Sequence, residues 1–104
     1  MSRLLLHIAC FLLTLPLAAQ WKISGQVTDR QGAPIPGANI SVVGSYDGTT
    51  SDSLGQFNLR VEERDSLTLA VSFLGFETAR LQLSPADSAR FLRVELREAV
   101  NELN

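Results

Sequence analysis

The sequence is poor in residues that do chemistry. It holds one cysteine, Cys10, and one histidine, His7, both within an apolar run at the start of the chain. Beyond that run no Ser–His or Cys–His pair can be assembled for nucleophilic catalysis. A zinc site there would have carboxylates alone, which is an unusual ligand set. With no cysteine after Cys10, the remainder has neither a disulfide nor thiolate chemistry. Basic clusters are also missing. The formal net charge is -2, no Lys or Arg run occurs, and charges of both signs are interspersed. Nucleic-acid binding is disfavoured, because phosphate neutralisation needs clustered cations. No glycine-rich phosphate loop precedes a helical pattern. The expectation is a chain that is not an enzyme and that carries no cofactor and no metal.

A long membrane-spanning run is lacking too. Leu4 to Leu17 is apolar but interrupted by His7, Thr14 and Pro16. It falls short of the roughly 20 apolar residues a spanning helix needs. Arg3 before it and Ala18-Ala19 after it complete a secretory signal peptide over residues 1–19, cut between Ala19 and Gln20. His7 and Cys10 leave with it. Cleavage removes Arg3 and makes the remainder one unit more negative.

What the remainder has in abundance is alternation. Ile23, Gly25 and Val27 alternate with polar neighbours, and so do Ala38, Ile40 and Val42. The pattern recurs in Phe57, Leu59 and Val61, in Leu67, Leu69, Val71 and Phe73, in Ala79, Leu81 and Leu83, and in Leu92, Val94 and Leu96. Period two is the signature of half-buried strands. A further short strand is expected over Thr49–Ser53. Strands with one apolar face bury it by stacking two sheets, so the fold class is an all-β sandwich. One short helical signal interrupts: Ser84-Pro85-Ala86-Asp87 offers an N-cap, a first-turn proline and an acid, ending near Ala89.

The punctuation agrees. Asp29-Arg30-Gln31-Gly32 and Asp52-Ser53-Leu54-Gly55 read as type I turns, Asp first and Gly last. Pro34-Ile35-Pro36-Gly37 is a stiff connection that no central strand accommodates. Gly75 marks a tight turn. The aspartates lack the spacing and late glutamate of a calcium loop, so turn formation is their reading. Glu62-Glu63 would point to opposite faces of a strand and sit at a hairpin tip. Trp21 and Tyr46, near loops, are candidate ligand-contact aromatics for a sugar face. Packing at the core or rim is the alternative for both.

These blocks resemble a known family. Ile23-Ser24-Gly25-Gln26-Val27-Thr28-Asp29 with Gly32, then Pro34-Ile35-Pro36-Gly37-Ala38-Asn39-Ile40, resembles the opening of carboxypeptidase-regulatory-like domains. Gly48-Thr49-Thr50-Ser51-Asp52-Ser53-Leu54-Gly55-Gln56-Phe57 is similar to a second family block, with Ser51 where Thr is usual. Val71-Ser72-Phe73-Leu74-Gly75-Phe76-Glu77-Thr78 is similar to a third, with Phe73 and Phe76 in tyrosine places. The resemblance implies a transthyretin-like (prealbumin-like), Greek-key-like β-sandwich of about seven strands. It makes Gly25, Asp29, Gly32, Pro34, Gly37, Asp52, Gly55, Phe57 and Gly75 fold-signature positions. The domain is expected over residues 20–97, with residues 98–104 a linker or the start of a following region.

Such a domain after a leader resembles the N-terminal extension of TonB-dependent outer-membrane receptors. The implied work is non-catalytic protein contact on the periplasmic side, with the receptor plug or with energising or signalling proteins of the envelope. No coupling box, plug or barrel is contained in these residues, so contact with the outer membrane would come only through a barrel not present here. Two other readings stand beside it: a secreted carbohydrate-binding or adhesion module, and the accessory domain of a metallocarboxypeptidase.

Overall fold

The computed structural model describes residues 20–100. The expected leader, including Ala19, lies outside the described residues, as do residues 101–104. Seven strands run in order: β1 Gln20–Thr28, β2 Asn39–Val42, β3 Gly48–Thr50, β4 Gln56–Glu62, β5 Leu67–Ser72, β6 Ala79–Leu83 and β7 Phe91–Glu95. A 3-10 helix, Pro85–Ala89, joins the last two.

The strands form two sheets. One has three strands in the order β4-β1-β7, the other four in the order β3-β2-β5-β6. β1 is central in the first sheet. It runs antiparallel to β4, from Gln20 opposite Glu62 to Gln26 opposite Gln56. It runs parallel to β7, from Ser24 opposite Phe91 to Thr28 opposite Glu95. The chain therefore crosses between sheets after β1, after β3, after β4 and after β6. These non-local crossovers make the sandwich Greek-key-like.

Alternation places the core. In β4, Phe57, Leu59 and Val61 are buried while Gln56, Asn58, Arg60 and Glu62 are exposed. In β5, Leu67, Leu69 and Val71 face inward. Together with Ile23, Val27, Ile40 and Val94 they form one apolar cluster between the sheets. Each such side chain contributes roughly 1.5–3 kcal/mol when fully buried.

Two expectations about extent are corrected. β3 covers Gly48–Thr50 and stops before Ser51, whose hydroxyl turns inward to the β1–β2 connection. Phe73 does not continue the inward row of β5. The strand ends at Ser72, its last partner on β2 being Asn39, and Phe73 opens the following turn with 37% exposure. Past residue 97, Phe76 bridges to Glu98 and the Ala99 N–H donates to the Gly75 carbonyl.

Candidate functional site

Loops after β1, β3 and β5 meet the C-terminal run at one end of the sandwich, and the local sequence explains each. The Asp29 carboxylate accepts from the N–H groups of Gln31 and Ala33, both at 2.9 Å. The Gly32 N–H donates to the Asp29 carbonyl, and the Asp29 N–H donates to that of Ala33. Asp52 repeats this arrangement. Its carboxylate accepts from Leu54 and Gln56, again at 2.9 Å, and its backbone bonds Gly55 and Gln56. Gly32 and Gly55 take φ values of +84° and +75°. In each loop the aspartate's Oδ1 accepts both backbone N–H groups and so folds its own turn.

The two loops flank the end of β1. The Val27 N–H donates to the Gly55 carbonyl at 2.7 Å, and the Ile35 N–H donates to the Val27 carbonyl at 2.9 Å. A Cβ on Gly55 would lie 2.5 Å from the Val27 oxygen and 3.1 Å from Pro34. Glycine is required there for both space and backbone angle. Gly25 is a separate close approach. A Cβ there would press into the Leu92 carbonyl oxygen and come within 2.8 Å of the Phe57 ring. This one residue lets both flanking strands close on β1.

Ser51 ties these loops together. Among the described residues it is the buried polar side chain of the core, at 6% exposure. Its hydroxyl accepts from the Ala38 N–H at 2.8 Å and donates to the Ile35 carbonyl at 2.7 Å. The Gly37 N–H donates to the Ser51 carbonyl. The Pro34–Gly37 connection is thus held by a side chain from a different sheet crossing.

At this end a cleft of about 370 Å³ lies between the Asp29 loop, the Phe76-Glu77 turn and Leu96–Glu98. Gly75, at φ +89°, lets the Phe76 N–H reach the Phe73 carbonyl. Phe73 and Phe76 lie 6.0 Å apart, tilted by 52°, and Leu74 stands beside them almost wholly exposed. Arg30, Arg97, Glu77 and Glu98 all line the cleft. It offers binding contacts of both signs and an apolar rim, without a paired nucleophile and base. Among the described residues no three His, Cys, Asp or Glu side chains gather as metal ligands would.

The two candidate ligand aromatics do not share a surface. Trp21 is 3% exposed and packs in the core, because β1 begins at Gln20 and carries the inward register of Ile23 back to it. A ring buried between two sheets cannot stack on a sugar. Tyr46 is fully exposed in the β2–β3 loop. Ser51 and the outward cations Lys22, Arg60 and Arg93 were not picked out as functional by the sequence, since only strand pairing reveals their neighbours.

In the 3-10 helix, the Asp87 carboxylate accepts from the Ser84 N–H at 2.8 Å and from its hydroxyl at 3.2 Å, and pairs with Arg90 at 2.9 Å. The backbone hydrogen bond from Ser84 chiefly holds its carboxyl below the usual value. Partial desolvation opposes this, while the Ser84 hydroxyl and Arg90 add to it.

These features define a small two-sheet β-sandwich module. The fold is shared with a type II cohesin–X-module–dockerin complex from Acetivibrio cellulolyticus, an N-terminal interface mutant. The match has a TM-score of 0.53 at 20% identity, covering 73% of this chain and 51% of that one. The family profile described as CarboxypepD_reg-like domain matches residues 23–104, and the chain belongs to that family. Relatives are TonB-dependent receptors. The TonB-dependent receptor SusC of Bacteroides thetaiotaomicron is 35% identical over 81 residues, 78% of this chain and 8% of the receptor. The TonB-dependent receptor P3 of Formosa agariphila is 37% identical over 67 residues, 64% of this chain and 7% of the receptor. The chain thus spans less than a tenth of the length of these relatives.

Proposed function

We propose that the chain is a non-catalytic accessory domain of a TonB-dependent outer-membrane receptor, exported by its leader and facing the periplasm. Its work is protein contact, with the receptor plug or with energising or signalling proteins of the envelope. The observation that carries this reading is the match of the sandwich to the receptors as one module of a much longer protein. The loops support it, because Asp29 and Asp52 are engaged in folding their own turns. The burial of Trp21 removes one of the two aromatics on which the carbohydrate reading rests.

Two measurements test this. Fusing residues 1–100 to an alkaline phosphatase that is active only after export should give active enzyme in a Gram-negative host, and a leaderless fusion should not. Reading the gene beyond the Asn104 codon should reveal a plug and many amphipathic strands in frame. An inactive fusion removes the periplasmic assignment, and a natural stop at Asn104 removes the receptor.

A further inference from the structure

The outward face of the three-stranded sheet carries a charge pattern that the fold does not require. Lys22 on β1 lies directly opposite Arg60 on β4, and both are exposed. Like charges in directly opposed cross-strand positions repel and destabilise a sheet. Arg93 on β7 lies beside Gln26 in the parallel register, its guanidinium 5.8 Å from the centre of the Phe91 ring. Between these cations lie the uncharged Ser24, Asn58 and Gln56. The acids of this face stand at two corners, Glu62 opposite Gln20 and Glu95 opposite Thr28. The ion pair found among the described residues is Arg90–Asp87, off the strands, and it uses none of the three cations. A chain of net charge -2 thus turns to solvent a face with three cations against two corner acids, an excess of one positive charge.

We propose that this sheet face docks an extended, acidic polypeptide segment of a partner protein. The inference rests on the reading of the chain as a protein-contact module and names the chemistry of its partner. Charge complementarity is the warrant: an incoming carboxylate relieves the Lys22–Arg60 repulsion, and a guanidinium holds a carboxylate in bidentate fashion. Spacing adds to it. The two cationic positions are four residues apart along β1, roughly 13 Å at about 3.3 Å per residue. An extended segment with acids four residues apart matches both. A glycan fits less well, because Arg93 lies over the Phe91 ring and Trp21 is buried.

The test uses the purified 104-residue chain and a fluorescein-labelled peptide of about 12 residues with Glu at every fourth position. Binding measured by anisotropy at low salt should weaken about tenfold or more at physiological salt, where exposed charges are screened. The Gln version of the peptide should not bind. The Lys22→Gln/Arg60→Gln/Arg93→Gln variant should lose binding about tenfold or more and melt no lower than the parent, because a repulsion is gone. Arg60→Glu, which places opposite charges across the pair, should raise the melting temperature and abolish binding. Arg80→Gln, on the other sheet, should leave binding unchanged. Absence of binding at low salt, binding that survives the triple variant, or a lower melting temperature in both β1–β4 variants would overturn the proposal. Binding of heparin but not of the acidic peptide would overturn the polypeptide assignment. Export and downstream sequence are separate readouts, so a natural stop at Asn104 with intact peptide binding defeats the receptor reading and spares this face.

Discussion

Replacing Ser51 by alanine deletes one oxygen and leaves two backbone groups without partners in the interior. The Ala38 N–H loses its acceptor at 2.8 Å and the Ile35 carbonyl loses its donor at 2.7 Å. Each buried backbone group left unpaired costs about 1–3 kcal/mol. The two together should cost about 3 kcal/mol, allowing for partial relaxation of the loop. A domain of this size has a net stability on the order of 5–10 kcal/mol, so the loss is a large share of it. The corresponding fall in Tm is roughly 10–20 °C. Trp21 supplies the assay: it is the chain's one tryptophan and is 3% exposed. Its emission should shift to the red on unfolding, giving a urea curve whose midpoint falls while its slope stays constant. Ser53→Ala, at an exposed position in the neighbouring turn, should change stability by less than about 0.5 kcal/mol. A Ser51→Ala loss below about 1 kcal/mol would refute the reasoning, because it would mean that water or a loop shift satisfies both groups. Ser51→Thr keeps the hydroxyl and should retain most of the stability.

Gly25→Ala should cost about 2–3 kcal/mol or more by overpacking, read by the same urea curves. Adding Phe57→Leu should not restore it, since the Leu92 carbonyl still blocks the new methyl. Asp29→Ala and Asp52→Ala each remove a carboxylate that accepts two backbone N–H groups. Matched geometry predicts matched losses, about 1 kcal/mol each, and thermal melts that differ widely would contradict the equivalence. Asp87 titrates below its ordinary value in the folded chain, so its charged form favours the fold. That contribution is present above about pH 3.9 and is lost as pH falls through the lower folded value. Asp87→Asn should therefore flatten the acid limb of the stability curve below about pH 4, and an unchanged limb would assign the effect to other carboxylates.

Where strands lie was legible because alternation is a local property. Phe57-Asn58-Leu59-Arg60-Val61 states its two faces without reference to anything else. The same rule misplaced residues at strand ends. Trp21 continues the inward row of Ile23 one step back, and its place at the very start of β1 hides this from the local pattern. Phe73 continues the inward row of Leu69 and Val71 one step forward, yet the turn that Gly75 permits ends the strand first. What the sequence does not carry is pairing. That Lys22 faces Arg60, or that β1 lies between β4 and β7, follows from contacts across most of the chain's length. The equivalence of the Asp29 and Asp52 loops was half visible in Asp-x-x-Gly. Their meeting around Val27 depends on the crossover.

The parallel pairing of β1 with β7 has a mechanical consequence. The strand nearest the start of the described chain and the strand nearest its end lie side by side and point the same way. Tension applied outward at residue 20 and residue 100 would pull the two strands past each other lengthwise. The slanted, evenly spaced bonds of a parallel ladder would then be loaded all at once, in shear, instead of opening one by one like a zip. A module held in line by its two ends would therefore yield late under force, and would pass tension along its axis as a stiff link.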